Sequence, residues 1–200
     1  MTKALFLNGT LKRSPDPSNT GMLAEEVLAG LRERSVECET VRLVDLNVLP
    51  GVSSDVGDGD EWPAVREKIL ASDIVILGTP TWLGQSSSVT KRALERMDAM
   101  LSEQDDEGRM IAFNRVAGFV VTGNEDGAKN CISEMQAAMT EIGFCVPPLA
   151  FTYWNMGPGP GPDYADTDHG KEWSQTTARS CAHNLFHVAQ ALREHPITPE

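Results

Sequence analysis

The sequence predicts an α/β fold: a single domain over residues 1–200, with five parallel strands in the order 2-1-3-4-5 sandwiched between two helical layers. Three observations predict it. Short β-rich runs alternate with amphipathic helical patterns along the whole chain. The central runs, Ile74-Val75-Ile76-Leu77 and Val116-Ala117-Gly118-Phe119-Val120-Val121, are apolar without alternation, as strands covered on both faces are. Five strands alternating with five helices then require parallel pairing and right-handed crossovers.

The elements follow in order. A strand over residues 3–7 empties into a loop rich in hydroxyls and amides, and Ser18, Asn19 and Thr20 supply the cap of a helix over 20–34. A second strand covers 39–43. The alternating Asp and Gly of 53–60 lack the spacing of a calcium loop and read as a solvated connector. A helix over 62–71 leads to the third strand, 73–78, and a helix over 88–102 ends in an acidic surface turn, 102–108. The fourth strand spans 116–122, the helix after it 128–142, and the fifth strand 145–153. Residues 157–162, Gly-Pro-Gly-Pro-Gly-Pro, suit neither helix nor strand and read either as a rigid connector or as a lid in which Trp154 and Tyr164 shape a pocket. A last helix covers 171–193.

Composition narrows the function. A net charge of −12 supplies no basic face for nucleic acid and is poorly suited to anionic membranes. The start of the chain runs straight into a strand, with no signal-peptide core and no apolar stretch of spanning length, so the expected location is cytoplasmic. Cys38, Cys131, Cys145 and Cys181 are scattered and read as reduced thiols rather than a zinc, iron–sulfur or disulfide framework. Cys181, His183 and His187 lie in the last helix, His183 and His187 on one face, but no fourth ligand is apparent and no metal is expected.

In this strand order a ligand sits at the switch point between the first and third strands, so three loops should carry the chemistry. The first, Asn8 to Thr20, resembles a phosphate cradle. Unpartnered amides at a helix start attract an anion, Thr10 and Ser14 add hydroxyls, Gly9 permits close approach, and Lys12 or Arg13 neutralises charge. An ordinary capped βα loop has much the same composition. The second loop is Thr79-Pro80-Thr81-Trp82-Leu83-Gly84-Gln85-Ser86-Ser87, where Trp82 offers a flat surface to a heteroaromatic ring or packs as a core or interface aromatic. The third, Thr122-Gly123-Asn124-Glu125-Asp126-Gly127, allows main-chain contact with a ring edge and, alone, is also a common turn.

Together, and in that order, the three loops resemble the flavodoxin-like NAD(P)H-dependent FMN reductase family, which includes related quinone reductases. The second loop, running into Val89 to Asp98, is the most specific part. The resemblance implies that Thr10, Lys12, Ser18, Asn19 and Thr20 hold the FMN phosphate. It places Pro80, Thr81, Trp82, Leu83 and Gly84 beside the ribityl chain and ring, with Gln85 and Ser86 on the helix side, and puts Thr122, Gly123, Asn124 and Gly127 around the pyrimidine edge. The first loop is longer than the family's compact form, so residues 14–17 should bulge away from the phosphate and Arg13 should point to solvent. Trp82 stands where the family often has tyrosine, which keeps the stacking surface and removes a phenolic donor.

The implied activity is hydride transfer from NAD(P)H, through FMN, to a quinone, flavin or other small acceptor, with no catalytic side chain required. The resemblance also implies a homodimer or homotetramer. A flavodoxin-type electron carrier without pyridine-nucleotide turnover and a non-catalytic flavin-binding regulator are the alternatives. A phosphate-ester hydrolase ranks last, because no loop offers a nucleophilic cysteine and Asp16 lies between prolines.

Overall fold

The computed structural model describes residues 1–199. Its elements are β1 (Lys3–Asn8), α1 (Asn19–Arg32), β2 (Glu37–Arg42), α2 (Trp62–Leu70), β3 (Ile74–Trp82), β4 (Gln85–Ser86), α3 (Ser88–Met97), β5 (Val116–Gly123), α4 (Ala128–Ile142), β6 (Phe151–Asn155) and α5 (Lys171–Glu194). The sheet order is β2-β1-β3-β5-β6 with every neighbour parallel, which is the expected 2-1-3-4-5 order once the small hairpin strand β4 is set aside.

Alternation within the strands builds a core on each face. Leu5, Leu7, Val75, Leu77 and Phe119 pack against α2, α3 and α4, while Ala4, Phe6, Ile74, Ile76 and Val120 pack against α1 and α5. The central strands β1, β3 and β5 are almost wholly buried, which is why their sequences carry no polar alternation. All four cysteines are free, and complete burial pushes the Cys181 thiol up to about 12. No helix among the described residues is long and apolar enough to cross a membrane.

Four expectations change. The third strand does not end at Gly78: it runs to Trp82 and folds back as β4, because Leu83 and Gly84 both take left-handed backbone (φ 51° and 74°), the geometry of a two-residue hairpin turn. The fifth strand begins at Phe151, since Pro147 and Pro148 lack ladder N–H groups and Cys145 makes only an isolated bridge to Val116. The helix after β4 ends at Met97 and continues to Ser102 as a tighter 3-10 turn. The connector 53–60 is not solvated throughout: the Asp60 side chain is fully buried against Arg96.

Candidate active site

The carboxyl ends of β1, β3 and β5 open onto one crevice. Its first wall is the start of α1. Ser18 caps the helix, its Oγ accepting from Gly21 N at 3.0 Å, and Asn8 Nδ2 donates to the same oxygen at 3.2 Å. Asn8 Oδ1 accepts from Thr10 N, and Thr10 Oγ1 from Lys12 N, so the loop is wound tightly from β1 toward Lys12. The amides of Asn19 and Thr20 find no partner among the described residues, leaving two donors at the positive end of a fourteen-residue helix.

Residues 14–17 do not line the crevice. Ser14 N and Oγ donate to the Asp45 carboxylate at 2.9 and 2.6 Å, which holds that carboxyl below its usual range. The Arg42 guanidinium donates to the carbonyls of Lys12 and Asp16 at 3.2 and 2.7 Å and ties the bulge to β2. Gly9 serves a different purpose from the one expected. A Cβ there would lie 1.8 Å from Thr90 Oγ1, so its missing side chain admits α3 rather than a ligand.

The second wall is the end of β3, where Pro80, Thr81 and the half-exposed Trp82 line the crevice. Ser87, the cap of α3, donates from its hydroxyl to Gly9 O at 2.5 Å and receives Thr90 N, locking the β1 and β3 ends together. The third wall comes from β5. Thr122, Gly123 and Asn124 face the crevice, and the Thr122 hydroxyl meets that of Thr20 at 2.7 Å, joining the β5 wall to α1.

A fourth wall was not assigned from the sequence as part of the cofactor site. Trp154 and Tyr164 meet edge to face with ring centroids 5.5 Å apart, and both line the crevice with Asp163 and Leu11. The Gly/Pro segment is pinned over this side: Met156 N donates to Gly123 O, Gly161 N to Asn124 O at 2.7 Å, and Ala165 N to Asn19 Oδ1 at 3.1 Å. Trp154 Nε1 donates to His169 O at 2.6 Å. The glycine–proline run and its flanking aromatics were the only sequence signal for this wall.

Of the residues singled out from sequence, Thr10, Lys12, Asn19, Thr20, Pro80, Thr81, Trp82, Thr122, Gly123 and Asn124 come together on this crevice. Ser18, Leu83, Gly84, Gln85 and Gly127 do not line it. Ser18 is turned inward as the cap, and Leu83 and Gln85 sit on the exposed hairpin. Gly84 and Gly127 instead face each other: a Cβ on Gly127 would fall 2.5 Å from Gly84 Cα, and Asn130 Nδ2 donates to Gly84 O at 3.0 Å, so the pair seats the hairpin on the start of α4. No cluster of three or more metal-ligating side chains occurs among the described residues.

The donor set fits a phosphate-bearing aromatic. Two free helix-start amides and the Thr10 hydroxyl lie with Lys12 along a crevice whose other sides carry the indoles of Trp82 and Trp154 and the ring of Tyr164.

Comparison with known proteins agrees with this chemistry. Residues 2–157 match the family model described as NADPH-dependent FMN reductase. The chain is 39% identical over 198 residues to a protein of Mycobacterium bovis named divalent metal cation transporter MntH, covering 96% of this chain and only 29% of that much longer protein. It is 32% identical over 209 residues to the 8-demethyl-8-aminoriboflavin-5′-phosphate synthase of Streptomyces davaonensis, covering 99% of this chain and 81% of the relative. The crystal structure of RosB with bound 8-demethyl-8-formylriboflavin-5′-phosphate superposes with a TM-score of 0.90 at 32% identity, covering 100% of this chain and 83% of that one. The chain belongs to the NADPH-dependent FMN reductase family, flavin-dependent oxidoreductases of flavodoxin-like fold.

Proposed function

We propose that this protein binds FMN in the crevice and uses it to pass a hydride from NAD(P)H to a small planar acceptor, a quinone or a flavin. The observation that carries the reading is the convergence of unsatisfied phosphate donors and flat aromatic walls on one crevice at the switch point of the sheet. The first-turn amides of α1, Thr10 and Lys12 bind the phosphate. Trp82 on one side and Gly123 and Asn124 on the other set the plane of the ring, and Trp154 with Tyr164 closes the remaining side against water.

FMN supplies the two-electron relay. Across the whole reaction the nicotinamide is oxidised to NAD(P)⁺, and the acceptor gains the hydride and a proton from solvent. No side chain acts as nucleophile or base. The protein's contribution is to hold donor and acceptor in turn against one face of the ring. The active form is a homodimer or homotetramer, and its location is cytoplasmic.

The test is direct. Purified protein should bind FMN with visible flavin absorption, and anaerobic NADPH should bleach it faster than free FMN. A stable semiquinone with no response to pyridine nucleotide would identify an electron carrier instead.

A second reading is favoured by one specific observation, the TM-score of 0.90 against a structure holding a formylated flavin phosphate. In that reading a flavin phosphate is the substrate, modified on its benzenoid ring. Mass spectrometry of FMN recovered after aerobic incubation with the protein separates the two: unchanged mass supports the reductase, and a modified flavin supports the second reading.

A further inference from the structure

Among the residues that line the crevice, Lys12 and Asp163 are the charged ones, and they carry opposite signs. Asp163 lies beyond residue 157, where the match to the family model ends. It is half-buried at the start of a short 3-10 turn, Tyr164–Asp166, and its side chain does not cap that turn. One carboxylate oxygen, Oδ1, accepts from Asn124 Nδ2 at 3.3 Å, while Oδ2 has no hydrogen-bond donor among the described residues. The segment carrying it is fixed on both sides, through Gly161 N to Asn124 O and through Ala165 N to Asn19 Oδ1. The carboxylate is therefore positioned by the backbone of the two neighbouring walls and still has acceptor capacity to offer.

A carboxylate in a crevice that also binds a phosphate is unfavourable if the two meet, since like charges a few ångströms apart repel. It is favourable if the ligand turns an N–H toward it, because a hydrogen bond to a charged acceptor is about twice as strong as a neutral one. Two opposite charges thus sort the two ends of one ligand. The dianionic end goes to Lys12 and the start of α1, and an edge bearing an N–H goes to Asp163. Asn124, which holds Asp163, belongs to the loop that the family resemblance implies around the pyrimidine edge of the ring, the edge that carries an imide N–H.

We propose that Asp163 is a specificity-determining residue of this crevice: its free carboxylate oxygen accepts a hydrogen bond from the imide N–H of the bound flavin ring and orients the ring against Lys12. The inference rests on the FMN reading above. It defines the ligand class further, as a planar heterocycle with an N–H on the edge remote from its phosphate. It also has a redox consequence. Reduction adds negative charge to the ring, so a fixed carboxylate beside that edge favours the oxidised form over the reduced one.

The test is a flavin titration of the full chain, followed by flavin fluorescence, for wild type and Asp163→Asn, with FMN and riboflavin as separate probes. The amide keeps the shape of the side chain and can still accept from Asn124, but turns a donor toward the ring. Oxidised FMN and riboflavin should both bind about tenfold more weakly, by the same factor, because the lost contact is to the ring they share. Photoreduced FMN should lose less than oxidised FMN. Asp163→Ala, which removes the carboxylate without adding a donor, should weaken both oxidised flavins in parallel and covers the case in which the asparagine variant fails to fold. The inference is overturned if FMN alone tightens while riboflavin is unchanged, which would put the carboxylate beside the phosphate, or if neither affinity moves. Wild type that binds neither flavin would remove the FMN reading and this inference with it, whereas flavin binding that is indifferent to residue 163 removes only the inference.

Discussion

On the α3 flank of the sheet, Arg96 and Asp60 direct every strong hydrogen bond into the protein, whereas at the carboxyl ends of β1, β3 and β5 several equally strong groups point at nothing. Arg96 donates from Nε to Ser53 O at 3.0 Å and from its two terminal nitrogens to Leu49 O and to Asp60 Oδ2 at 2.8 and 2.7 Å, and its guanidinium lies 5.8 Å from the centre of the Trp62 ring. Asp60 accepts in addition from the amides of Leu49, Val56 and Trp62. In the crevice, the amides of Asn19 and Thr20, Lys12 Nζ and Asp163 Oδ2 remain without partners among the described residues. A buried polar network that is complete fixes a loop in place. Polar groups without protein partners that stay partly exposed at a concave surface are free to take a ligand.

The largest effect should come from breaking the complete network. Both side chains of the Arg96–Asp60 pair are 0% exposed, so Asp60→Ala leaves a buried guanidinium without its counter-charge and should lower stability by about 3–5 kcal/mol. Urea unfolding measures it. A loss below about 1 kcal/mol would mean that the pair behaves like a surface bridge and that the contrast between the two regions is wrong.

How much of this contrast was legible in the sequence follows from the physics of each part. The strand and helix alternation was readable because burial on both sheet faces leaves an unbroken apolar signature in residues 74–77 and 116–121. The three loops were readable because the strand order forces them to one edge. Asp60 was not, because an acidic residue among glycines looks the same whether it faces water or an arginine thirty-six positions away. Asp163 and Tyr164 escaped assignment to the cofactor site because their place depends on how a glycine–proline run is pinned to Asn124 and Asn19, which no local pattern encodes. Ser18 is expected at the ligand from its position at a helix start, and what the sequence does not show is that its oxygen accepts from Gly21 N and Asn8 Nδ2.

Acid should sharpen the comparison next. Burial alone would raise the Asp60 carboxyl, but the Arg96 guanidinium and three backbone amides outweigh it and hold the group at about 2. A folded-state value below the unfolded one means that the group's contribution is complete above the unfolded value of about 4 and is lost as pH falls toward 2. Unfolding free energy measured from pH 5 to pH 2 should therefore drop less steeply in Asp60→Asn than in wild type. Equal slopes would show that other carboxylates dominate the acid limb.

Within the crevice, Lys12→Ala should leave stability within about 0.5 kcal/mol, because the side chain is exposed and makes no hydrogen bond or ion pair among the described residues. FMN affinity should fall about tenfold while riboflavin affinity stays unchanged, since only FMN carries the phosphate. Flavin titration of both ligands reads the difference directly. Equal losses for the two would place Lys12 against the ring instead.

Ser18 lies between the two regions and gives the smallest effect. It belongs by position to the crevice, yet its hydroxyl is satisfied internally like the groups of the α3 flank. Ser18→Ala removes the cap and strands the Gly21 amide and Asn8 Nδ2, and should lower stability by about 1 kcal/mol. The amides that face the crevice are those of Asn19 and Thr20, which the substitution does not alter chemically. FMN affinity should therefore fall only as far as the first turn of α1 frays, by a few-fold at most, and the loss should shrink as temperature is lowered and the turn reforms. A temperature-independent loss of tenfold or more would mean that the Ser18 hydroxyl turns outward to the phosphate, and Ser18 would then belong with Lys12 among the groups that wait for a ligand.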